Sequence, residues 1–183
     1  MEATANPTRA RILAATAELF QRQGYAGTGL KQVVADAQAP FGSLYHHFPG
    51  GKQQLAEEVI RAGGAFFQAL VTGVYDEEST AGASVRAVFE GAARTLALTN
   101  FEDACPIATV ALEVASTNDD LRRATAEVFE QWTVALTDRL GDRDRALAVL
   151  SALEGAFVLC RAQRTVEPMV AAGKMAAAYV AAQ

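Results

Sequence analysis

The seven residues GSLYHHF, from Gly42 to Phe48, place a hydroxyl, a phenol and two imidazoles close together, and PGGK follows them directly. Side chains of these types can bind a metal ion, activate a nucleophile, hold a phosphate group or contact a nucleic acid. Each of these chemistries requires its own spacing of residues, so the neighbouring sequence decides among them.

A metal site is not expected from the two histidines. His46 and His47 are adjacent, and side chains one residue apart on a helix point about 100° away from each other. The chain has no further histidine, and its two cysteines lack the spacing of a zinc motif. The sequence therefore predicts neither a bound metal nor another cofactor.

Catalysis is not expected from this segment either. Ser43 precedes the two histidines by three and four residues, a spacing that lets a hydroxyl meet an imidazole on one helix face. No acidic residue nearby would orient such a base, and Ser43 does not lie in a GxSxG pattern. The pair Gly51-Lys52 is followed by Gln53, where a nucleotide-binding loop needs serine or threonine. We therefore predict that the protein is not an enzyme.

The elements that position these residues are predicted to be helices, because apolar side chains recur every three or four residues along most of the chain. Near the N-terminus, Gly24 ends a first helix, Thr28 can cap a second, and Pro40 separates the second from a third. Asn118 and Asp142 are predicted caps of later helices. The predicted fold class is all-α.

A long fourth helix is predicted over residues 52–75. Its predicted apolar stripe consists of Leu55, Val59, Ala62, Phe66, Leu70 and Val74. Four or five further helices are predicted over 84–99, 105–116, 118–140, 142–164 and 167–182.

Composition and charge constrain the class of protein further. The chain has 183 residues, which suits one domain carrying a small module, and 51% of them are apolar, enough for a substantial core. Residues 1–52 carry five basic and three acidic side chains, whereas the remainder carries eleven basic and eighteen acidic ones. The two ends of the chain are therefore expected to meet different partners.

A cytoplasmic location is predicted from the cysteines and from the apolar segments. Cys105 and Cys160 are far apart and are expected to be buried, reduced thiols. The N-terminus lacks the apolar region of a signal peptide. The most apolar run, from Ala146 to Cys160, contains Ser151 and Glu154, so we expect it to be too short and too polar to span a membrane.

Two short helices joined by a tight turn, over residues 28–47, have the arrangement of a helix-turn-helix. The second helix would enter the major groove of double-stranded DNA with its N-terminal part. Ser43 and Tyr45 can donate hydrogen bonds, Gly42 lets the backbone come close, and Leu44 and Phe48 are expected to point into the core. The residues predicted to contact DNA are Thr28, Lys31, Phe41, Gly42, Ser43, Tyr45, His46 and Lys52.

These residues resemble the N-terminal signature of the TetR family of bacterial transcriptional regulators. The signature has an amphipathic first helix, a glycine-aromatic pair, a threonine cap, and a recognition helix that reads G-[ST]-[LFI]-Y-x-[HY]-F before a short loop and a lysine. The corresponding residues here are 13–20, Gly24-Tyr25, Thr28, 42–48 and Lys52, within a match over about residues 8–60. The resemblance implies that Tyr45 and His46 contact phosphates and that Phe48 belongs to the core.

The resemblance also implies a second, helical domain that binds a ligand and forms a homodimer. The segments CPIA at 105–108, ALE at 111–113 and LEGA at 153–156 are similar to the LmrA/YxaF-type subgroup. That similarity implies a repressor released from its operator by a small, often aromatic, molecule. The implied domains are a helix-turn-helix domain over 1–52, a connecting helix over about 52–75, and a ligand-binding and dimerisation domain over 76–183.

Some positions depart from the family's pattern. The turn usually carries glycine where Gln38 stands, and glycine adopts a positive φ more readily than glutamine. A serine cap and a basic residue are common where Pro40 and Phe41 stand, and Phe41 can contact a thymine methyl instead. These departures affect which operator sequence is bound, not the DNA-binding class.

Large aromatic side chains outside the DNA-binding part predict a mostly apolar effector pocket. The predicted lining residues are Phe89, Phe101, Cys105, Ile107, Val110, Phe129, Trp132 and Phe157. The last two helices are rich in alanine and glycine, and we predict that they form a four-helix interface between two subunits. The predicted interface residues are Ala152, Ala156, Gly173 and Ala177.

A second interpretation stays open at this point. An all-helical small-molecule carrier or enzyme can keep this fold without binding an operator. Such a protein would need a titratable cluster in its C-terminal part, where Glu113, Glu154 and Cys160 are the candidates. None of the three has a partner that its spacing reveals, and the basic N-terminal part favours a DNA-binding regulator.

Overall fold

The protein is helical throughout the part that the computed structural model describes, residues 7–77 and 80–182. No strand occurs in these residues, which confirms the predicted all-α class. The helices there are α1 (Pro7–Gly27), α2 (Leu30–Asp36), α3 (Phe41–His47), α4 (Gly51–Glu77), α5 (Ala81–Leu98), α6 (Pro106–Val114), α7 (Asp119–Leu140), α8 (Arg143–Gln163) and α9 (Glu167–Ala181). The rest of the chain, including part of the predicted second domain, lies outside the described residues.

The bend between α1 and α2 depends on Gly24. Its φ of 72° and ψ of −173° interrupt the helix where the sequence predicts an end. The predicted cap at Thr28 is wrong, because Gly29 occupies the cap position of α2 and makes no side-chain bond. The Thr28 hydroxyl instead donates to the carbonyl of Gly24 at 2.6 Å, which closes the bend on itself.

The turn between α2 and α3 places Gln38 at φ 49°, the left-handed region that the family's usual glycine tolerates better. The N–H of Gln38 donates to the carbonyl of Ala35 and that of Ala39 to the carbonyl of Val34. Pro40 then precedes α3 with an extended backbone. The turn is therefore formed by backbone hydrogen bonds despite the unfavourable residue.

Side-chain caps fix the starts of three later helices. Asn118 Oδ1 accepts the N–H of Leu121 at 3.1 Å, and Asp142 accepts the N–H of Arg145 at 2.8 Å, as the sequence predicts. Thr80 accepts the N–H of Ala83 and thereby starts α5 three residues earlier than predicted. Each cap satisfies an N–H group that has no partner within its helix.

The first of two compact units contains residues 1–63 together with 106–126. In it α6 packs against α1, and α1 also contacts α2 and α3. The packing therefore differs from the predicted domain boundary. α6 belongs with the DNA-binding helices, although residues 64–105 of the other unit precede it in the chain. The core of this unit contains Ile12, Phe20, Val33, Leu44, Phe48, Leu55 and Ile107.

The second unit contains residues 64–105 and 127–183. Here α9 packs along both α5 and α8. Gly173 of α9 lets the two helices approach, because a Cβ atom there would stand 2.7 Å from the Cβ of Phe89. The small residues of α9 thus serve packing within the subunit.

The apolar stripe of α4 changes position along the helix. Leu55 and Val59 are buried as predicted, but Ala62 is exposed and Phe66 is 73% exposed. The burial passes instead to Ile60, to Gly64 and finally to Tyr75. Different neighbours cover the two halves of the helix, since they belong to different units.

One described helix, Arg143–Gln163, is long and apolar enough to cross a membrane if only length and composition are considered. The helix reaches this length because α8 extends beyond the apolar run of Ala146–Cys160 at both ends. Only 33% of the most apolar window is buried within the subunit. An exposed apolar face remains on α8.

Candidate nucleic-acid interface

The two faces of α3 have opposite characters. Leu44 and Phe48, the residue that ends the helix, are fully buried, which confirms that they belong to the core. On the other face Phe41 is 44% and Tyr45 is 49% exposed, and His46 is exposed as well. A short helix that is anchored on one side and open on the other can present its exposed side chains to a groove of DNA.

The exposed aromatic side chains of α3 form an ordered surface. The rings of Phe41 and Tyr45 pack edge to face with centroids 5.8 Å apart. A Cβ atom on Gly51, where φ is 63°, would stand 3.6 Å from the Tyr45 ring. The Tyr45 ring therefore lies beside the first residue of α4. This places Tyr45 and the start of α4 on one surface, as the sequence predicts for Tyr45 and Lys52.

Lys52 is half-buried in the first turn of α4. Its ammonium lies 4.3 Å from the centroid of the Tyr25 ring, a cation–π contact. Burial lowers the pKa of Lys52, and the negative charge of Glu113 raises it in part. The lysine thus rests on an aromatic ring, within the electrostatic influence of a carboxylate and next to the surface that Tyr45 forms.

The other predicted DNA contacts differ in accessibility. Lys31 and Gly42 are exposed, on α2 and α3, and Ser43 is half-buried. Thr28 is only 1% exposed and its hydroxyl is bonded to Gly24, so its predicted side-chain contact with DNA is wrong. A helix-turn-helix signature does not reveal this, because a threonine before a helix can either cap it or close a bend.

Two arginines of α1 hold the helix-turn-helix together. Arg9 forms an ion pair with Glu58 of α4 and lies over the Phe48 ring at 5.2 Å. Arg11 donates to the carbonyl of Ala37 at 2.9 Å, at the end of α2. The sequence predictions assigned no role to these residues, because their partners Glu58 and Ala37 are far from them in the chain.

Glu113 of α6 reaches the bend between α1 and α2. Its Oε2 accepts the N–H of Ala26 at 2.9 Å, and a Cβ atom on Gly24 would overlap its carboxylate. Asn118, just after α6, pairs with Gln53 of α4, donating to its Oε1 at 2.7 Å. The segment that contains α6 therefore contacts both the bend and the first turn of α4.

A small cavity of about 30 Å³ lies in the second unit and is almost entirely apolar. It has space for about two water molecules. The lining residues are Phe67, Gln68, Val71, Thr72, Tyr75, Val85, Val88, Trp132, Ala135, Leu136, Arg139, Val149, Leu150 and Leu153.

Trp132 and Tyr75 contribute the functional groups of this cavity. Trp132 donates its indole N–H to the carbonyl of Gly64 at 2.8 Å, and its ring lies 4.5 Å from that of Phe67. The Tyr75 hydroxyl is buried and has no hydrogen-bond partner among the described residues. Burial raises the pKa of Tyr75 to about 12, so the phenol stays neutral near pH 7. It can exchange one hydrogen bond with a bound molecule.

Of the predicted pocket residues, Trp132 lines this cavity and the other seven do not. Ile107 and Val110 are buried in the first unit, and Phe89 packs against Gly173. Phe129 contacts Trp132 from outside the cavity. Cys105 lies beside Glu154, while Phe101 and Phe157 are half-buried elsewhere. Helical spacing predicts that these residues face inward, but not which cavity they face.

The candidates for a titratable cluster are divided between the two units. Glu113 belongs to the first unit, and Glu154 and Cys160 belong to the second. Neither carboxylate oxygen of Glu154 has an N–H or O–H donor in the described part of the chain. Burial raises the pKa of Glu154 to about 7, against the opposite effect of the Cys105 thiol. Within the described residues no group of histidine, cysteine and acidic side chains could hold a metal ion.

The predicted dimer-interface residues are mostly covered within the subunit. Ala156, Gly173 and Ala177 are buried, and Ala152 is half-buried. Burial within the subunit argues against a contact of the first three with a second subunit. Gly173 and Ala177 lie where α9 packs against α5, and Ala156 is buried on α8. The exposed apolar side chains of the same two helices are Leu147, Val158, Leu159, Val170, Met175 and Tyr179.

Two family models match the chain. Residues 12–59 match bacterial regulatory proteins of the tetR family, and residues 81–175 match the C-terminal domain of LmrA/YxaF-like transcriptional regulators. The chain is 28% identical over 171 residues to the HTH-type transcriptional regulator LmrA of Bacillus subtilis, covering 89% of this chain and 91% of LmrA. It is 33% identical over 175 residues to the HTH-type transcriptional regulator Rv0196 of Mycobacterium tuberculosis, covering 88% of each.

The fold is similar to that of solved structures. A regulatory protein TetR from Rhodobacter sphaeroides superposes with a TM-score of 0.87 over 95% of this chain and 99% of that one, at 21% identity. The reduced form of NemR from E. coli superposes with a TM-score of 0.79 over 96% and 95% of the two chains, also at 21% identity. At this identity the likeness concerns the fold alone.

Proposed function

This chain belongs to the TetR family of DNA-binding transcriptional regulators, and we propose that it is a repressor that a small apolar or aromatic molecule releases from its operator. The observation that carries the DNA-binding part is the exposed face of α3, with Phe41, Tyr45 and His46 beside the start of α4. A regulator bound to the chromosome acts in the cytoplasm.

In this proposal each exposed group of the surface has its own role at the DNA. The hydroxyls of Tyr45 and Ser43 and the imidazole of His46 contact phosphates and fix the orientation of α3. Gly42 allows the backbone to approach the groove, and Phe41 contacts a thymine methyl or a sugar. Lys31 and Lys52 contribute charge, so that affinity falls as salt concentration rises.

The effector site is proposed at the cavity around Trp132 and Tyr75. A cavity of about 30 Å³ is too small for an aromatic molecule, so a ligand must displace the surrounding helices to enter. Phe67 and Trp132 supply aromatic surfaces, and the Tyr75 hydroxyl supplies a hydrogen bond. A ligand that enters only when these helices are displaced binds the displaced arrangement more tightly. Such a difference in affinity is what allows a ligand to shift the equilibrium between two conformations.

The proposed switch uses α4, because this helix carries Lys52 at its start and lining residues of the cavity towards its end. Operator binding by a dimer requires the two recognition helices about one helical turn of DNA apart, roughly 34–36 Å, or a multiple of this. A tilt of α4 would alter the distance between the two recognition helices. By linkage, DNA then weakens effector binding by the factor by which the effector weakens DNA binding.

The proposed dimer uses the exposed apolar face of α8 and α9. Gly155 lies on the exposed side of α8, with open space where a side chain would stand. Val158, Leu159, Met175 and Tyr179 are about half exposed in the isolated subunit. A second copy that covers this face would bury the apolar side of α8, the helix that is long and apolar enough to cross a membrane. Two helices from each subunit would form a four-helix interface.

The alternative of a carrier or enzyme receives less support. Among the described residues no group of histidine, cysteine and acidic side chains could hold a metal ion, and the matched relatives are transcriptional regulators. Burial raises the pKa of the Cys160 thiol, which disfavours the reactive thiolate.

The test combines DNA binding with ligand release. Purified protein is titrated into a labelled duplex from the region upstream of its own gene, and into an unrelated duplex, at several salt concentrations. We expect tighter binding to the upstream duplex. A panel of flat aromatic compounds, beginning with 2-naphthol, is then screened for release of the DNA and for a change in Trp132 fluorescence. Equal affinity for both duplexes at all salt concentrations contradicts operator binding.

The control for the effector site is Trp132→Phe, which keeps an aromatic ring and removes the indole N–H. We expect it to weaken the effect of any compound that releases wild-type protein. If such a compound leaves Trp132 emission unchanged and releases the Trp132→Phe variant normally, the effector site lies elsewhere.

A further inference from the structure

The carboxylate of Glu113 occupies the space beside Gly24. A side chain at position 24 would overlap it, and the φ of 72° at that position already disfavours any residue other than glycine. Glycine is therefore required at position 24 for two independent reasons: the positive φ of the backbone, and the lack of space for a side chain. The second exists only because α6 presents Glu113 there.

Several hydrogen bonds close the bend between α1 and α2, including one from Gln23 Nε2 to the carbonyl of Gly27 at 3.0 Å. One of them comes from outside the bend. Thr28 donates its hydroxyl to the carbonyl of Gly24 and its N–H to the carbonyl of Tyr25. The N–H of Ala26 donates to Glu113 Oε2 at 2.9 Å. An N–H bonded to an ionised carboxylate makes a stronger hydrogen bond than one to a neutral acceptor. Glu113 is therefore the external support of the bend.

The same carboxylate acts on Lys52, whose ammonium rests on the ring of Tyr25 within this bend. Tyr25, Lys52 and Glu113 thus form a connected group, the bend cluster, in the first unit. Tyr45 lies beside Gly51, the residue before Lys52. Whatever fixes the bend cluster also fixes the position of the lysine next to the recognition helix.

We propose that Glu113 is a positioning residue for DNA binding, whose carboxylate holds the bend between α1 and α2 and keeps Tyr25 and Lys52 in place beside α3. The proposal rests on the DNA-binding role of α3 but not on the identity of the effector. It gives α6 a function that the sequence alone does not assign.

Three substitutions separate the hydrogen bond from the charge. Glu113→Ala removes both, Glu113→Gln keeps an oxygen that can accept the Ala26 N–H, and Glu113→Asp keeps the charge on a side chain one methylene too short to reach. Glu90→Ala, at an exposed position of α5 in the other unit, is the matched control for losing a surface carboxylate. All four proteins are compared with the wild-type chain by circular dichroism and thermal unfolding.

The first measurement is amide hydrogen exchange of Ala26 in the free protein, which needs no DNA. We expect exchange about tenfold or more faster in Glu113→Ala and Glu113→Asp, and close to wild type in Glu113→Gln and Glu90→Ala. Unchanged protection of Ala26 in all the Glu113 variants overturns the proposal, because the carboxylate then does not hold the bend.

The second measurement is the affinity for the upstream duplex. We expect about tenfold weaker binding for Glu113→Ala and Glu113→Asp, and affinity within about threefold of wild type for Glu113→Gln. Wild-type affinity in all three variants overturns this inference alone, whereas wild-type protein that binds no duplex contradicts the proposed function instead. A Glu113→Gln variant that protects Ala26 but binds DNA as weakly as Glu113→Ala also overturns the positioning role.

Discussion

The ammonium of Lys52 lies 4.3 Å from the centre of the Tyr25 ring, so the basic residue at the start of α4 is already placed before any DNA arrives. A contact of this kind at a partly exposed site contributes about 0.5–1 kcal/mol. Because Lys52 is also half-buried, it loses less conformational freedom on binding a phosphate than a fully exposed lysine would.

Lys52→Ala is expected to weaken binding to every duplex, specific or not. If the lysine neutralises one phosphate, the slope of log K against log salt becomes shallower by about 0.9. The measurement is a salt titration of DNA affinity by fluorescence anisotropy, with Lys174→Ala on α9 as the control. An unchanged slope for Lys52→Ala would remove this residue from the contacts.

Tyr45→Phe is expected to weaken binding while it leaves the salt slope unchanged. The substitution removes a hydroxyl but no charge, and it keeps the ring that packs against Phe41. A loss of about three- to tenfold in affinity corresponds to one ordinary hydrogen bond. The same anisotropy titration measures it, and affinity equal to wild type would show that the hydroxyl does not contact DNA.

Gln38→Gly is expected to stabilise the fold by about 1 kcal/mol. Gln38 has φ 49°, and a left-handed conformation costs a residue with a side chain roughly 1–2 kcal/mol. Glycine removes this strain, but its more flexible unfolded chain offsets part of the gain. Ala35→Gly within α2 is the control and should destabilise by about 1 kcal/mol. Urea unfolding of both variants gives the free energies, and equal destabilisation of the two would contradict this account.

Stability is expected to fall as pH rises from about 5 to 8 because of Glu154. Burial raises the pKa of this carboxyl from 4.5 to about 7, so the folded state binds its proton more tightly than the unfolded chain. The unfolded state loses the proton first, and the cost of ionising the buried group is complete above pH 7. At its largest this cost is on the order of 3 kcal/mol.

Glu154→Gln removes this titration. We expect the difference in free energy of unfolding between the variant and wild type to shift in favour of the variant between pH 5 and pH 8. Glu90→Gln, at an exposed position of α5, serves as the control. Parallel pH profiles of wild type and Glu154→Gln would show that the pKa of Glu154 is not raised in the folded protein.

Leu159→Arg is expected to dissociate the dimer into folded monomers. Leu159 is half exposed on the apolar face of α8, and a buried unpaired charge at a subunit interface is costly. Ala177→Trp, inside the subunit between α9 and α5, should instead lower the thermal midpoint through overpacking. Sedimentation velocity and circular dichroism distinguish the two outcomes. A Leu159→Arg protein that still sediments as wild type would place the interface elsewhere.

Local interactions explain why the DNA-binding surface could be predicted from the sequence. In a helix of period 3.6 that begins at Phe41, Leu44 points about 100° away from Tyr45, and Phe41 and Tyr45, four residues apart, share a face. Asn118 and Asp142 were predictable caps for the same reason, since a cap bonds to the backbone three residues later. The role of Thr28 was not predictable, because its hydroxyl can satisfy either of two nearby backbone groups.

The sequence by itself determined which segments are helical, the caps at Asn118 and Asp142, and which side chains of α3 face outward, because these depend on residues within a few positions of one another. Only the tertiary structure decided that α6 joins the DNA-binding helices, that Glu113 supports the bend at Gly24, and that Gly173 packs against Phe89. Each of these depends on helices that are far apart in the chain. A helix with apolar residues on more than one side can bury any of these sides. Which side is buried depends on the packing arrangement that suits all the helices together.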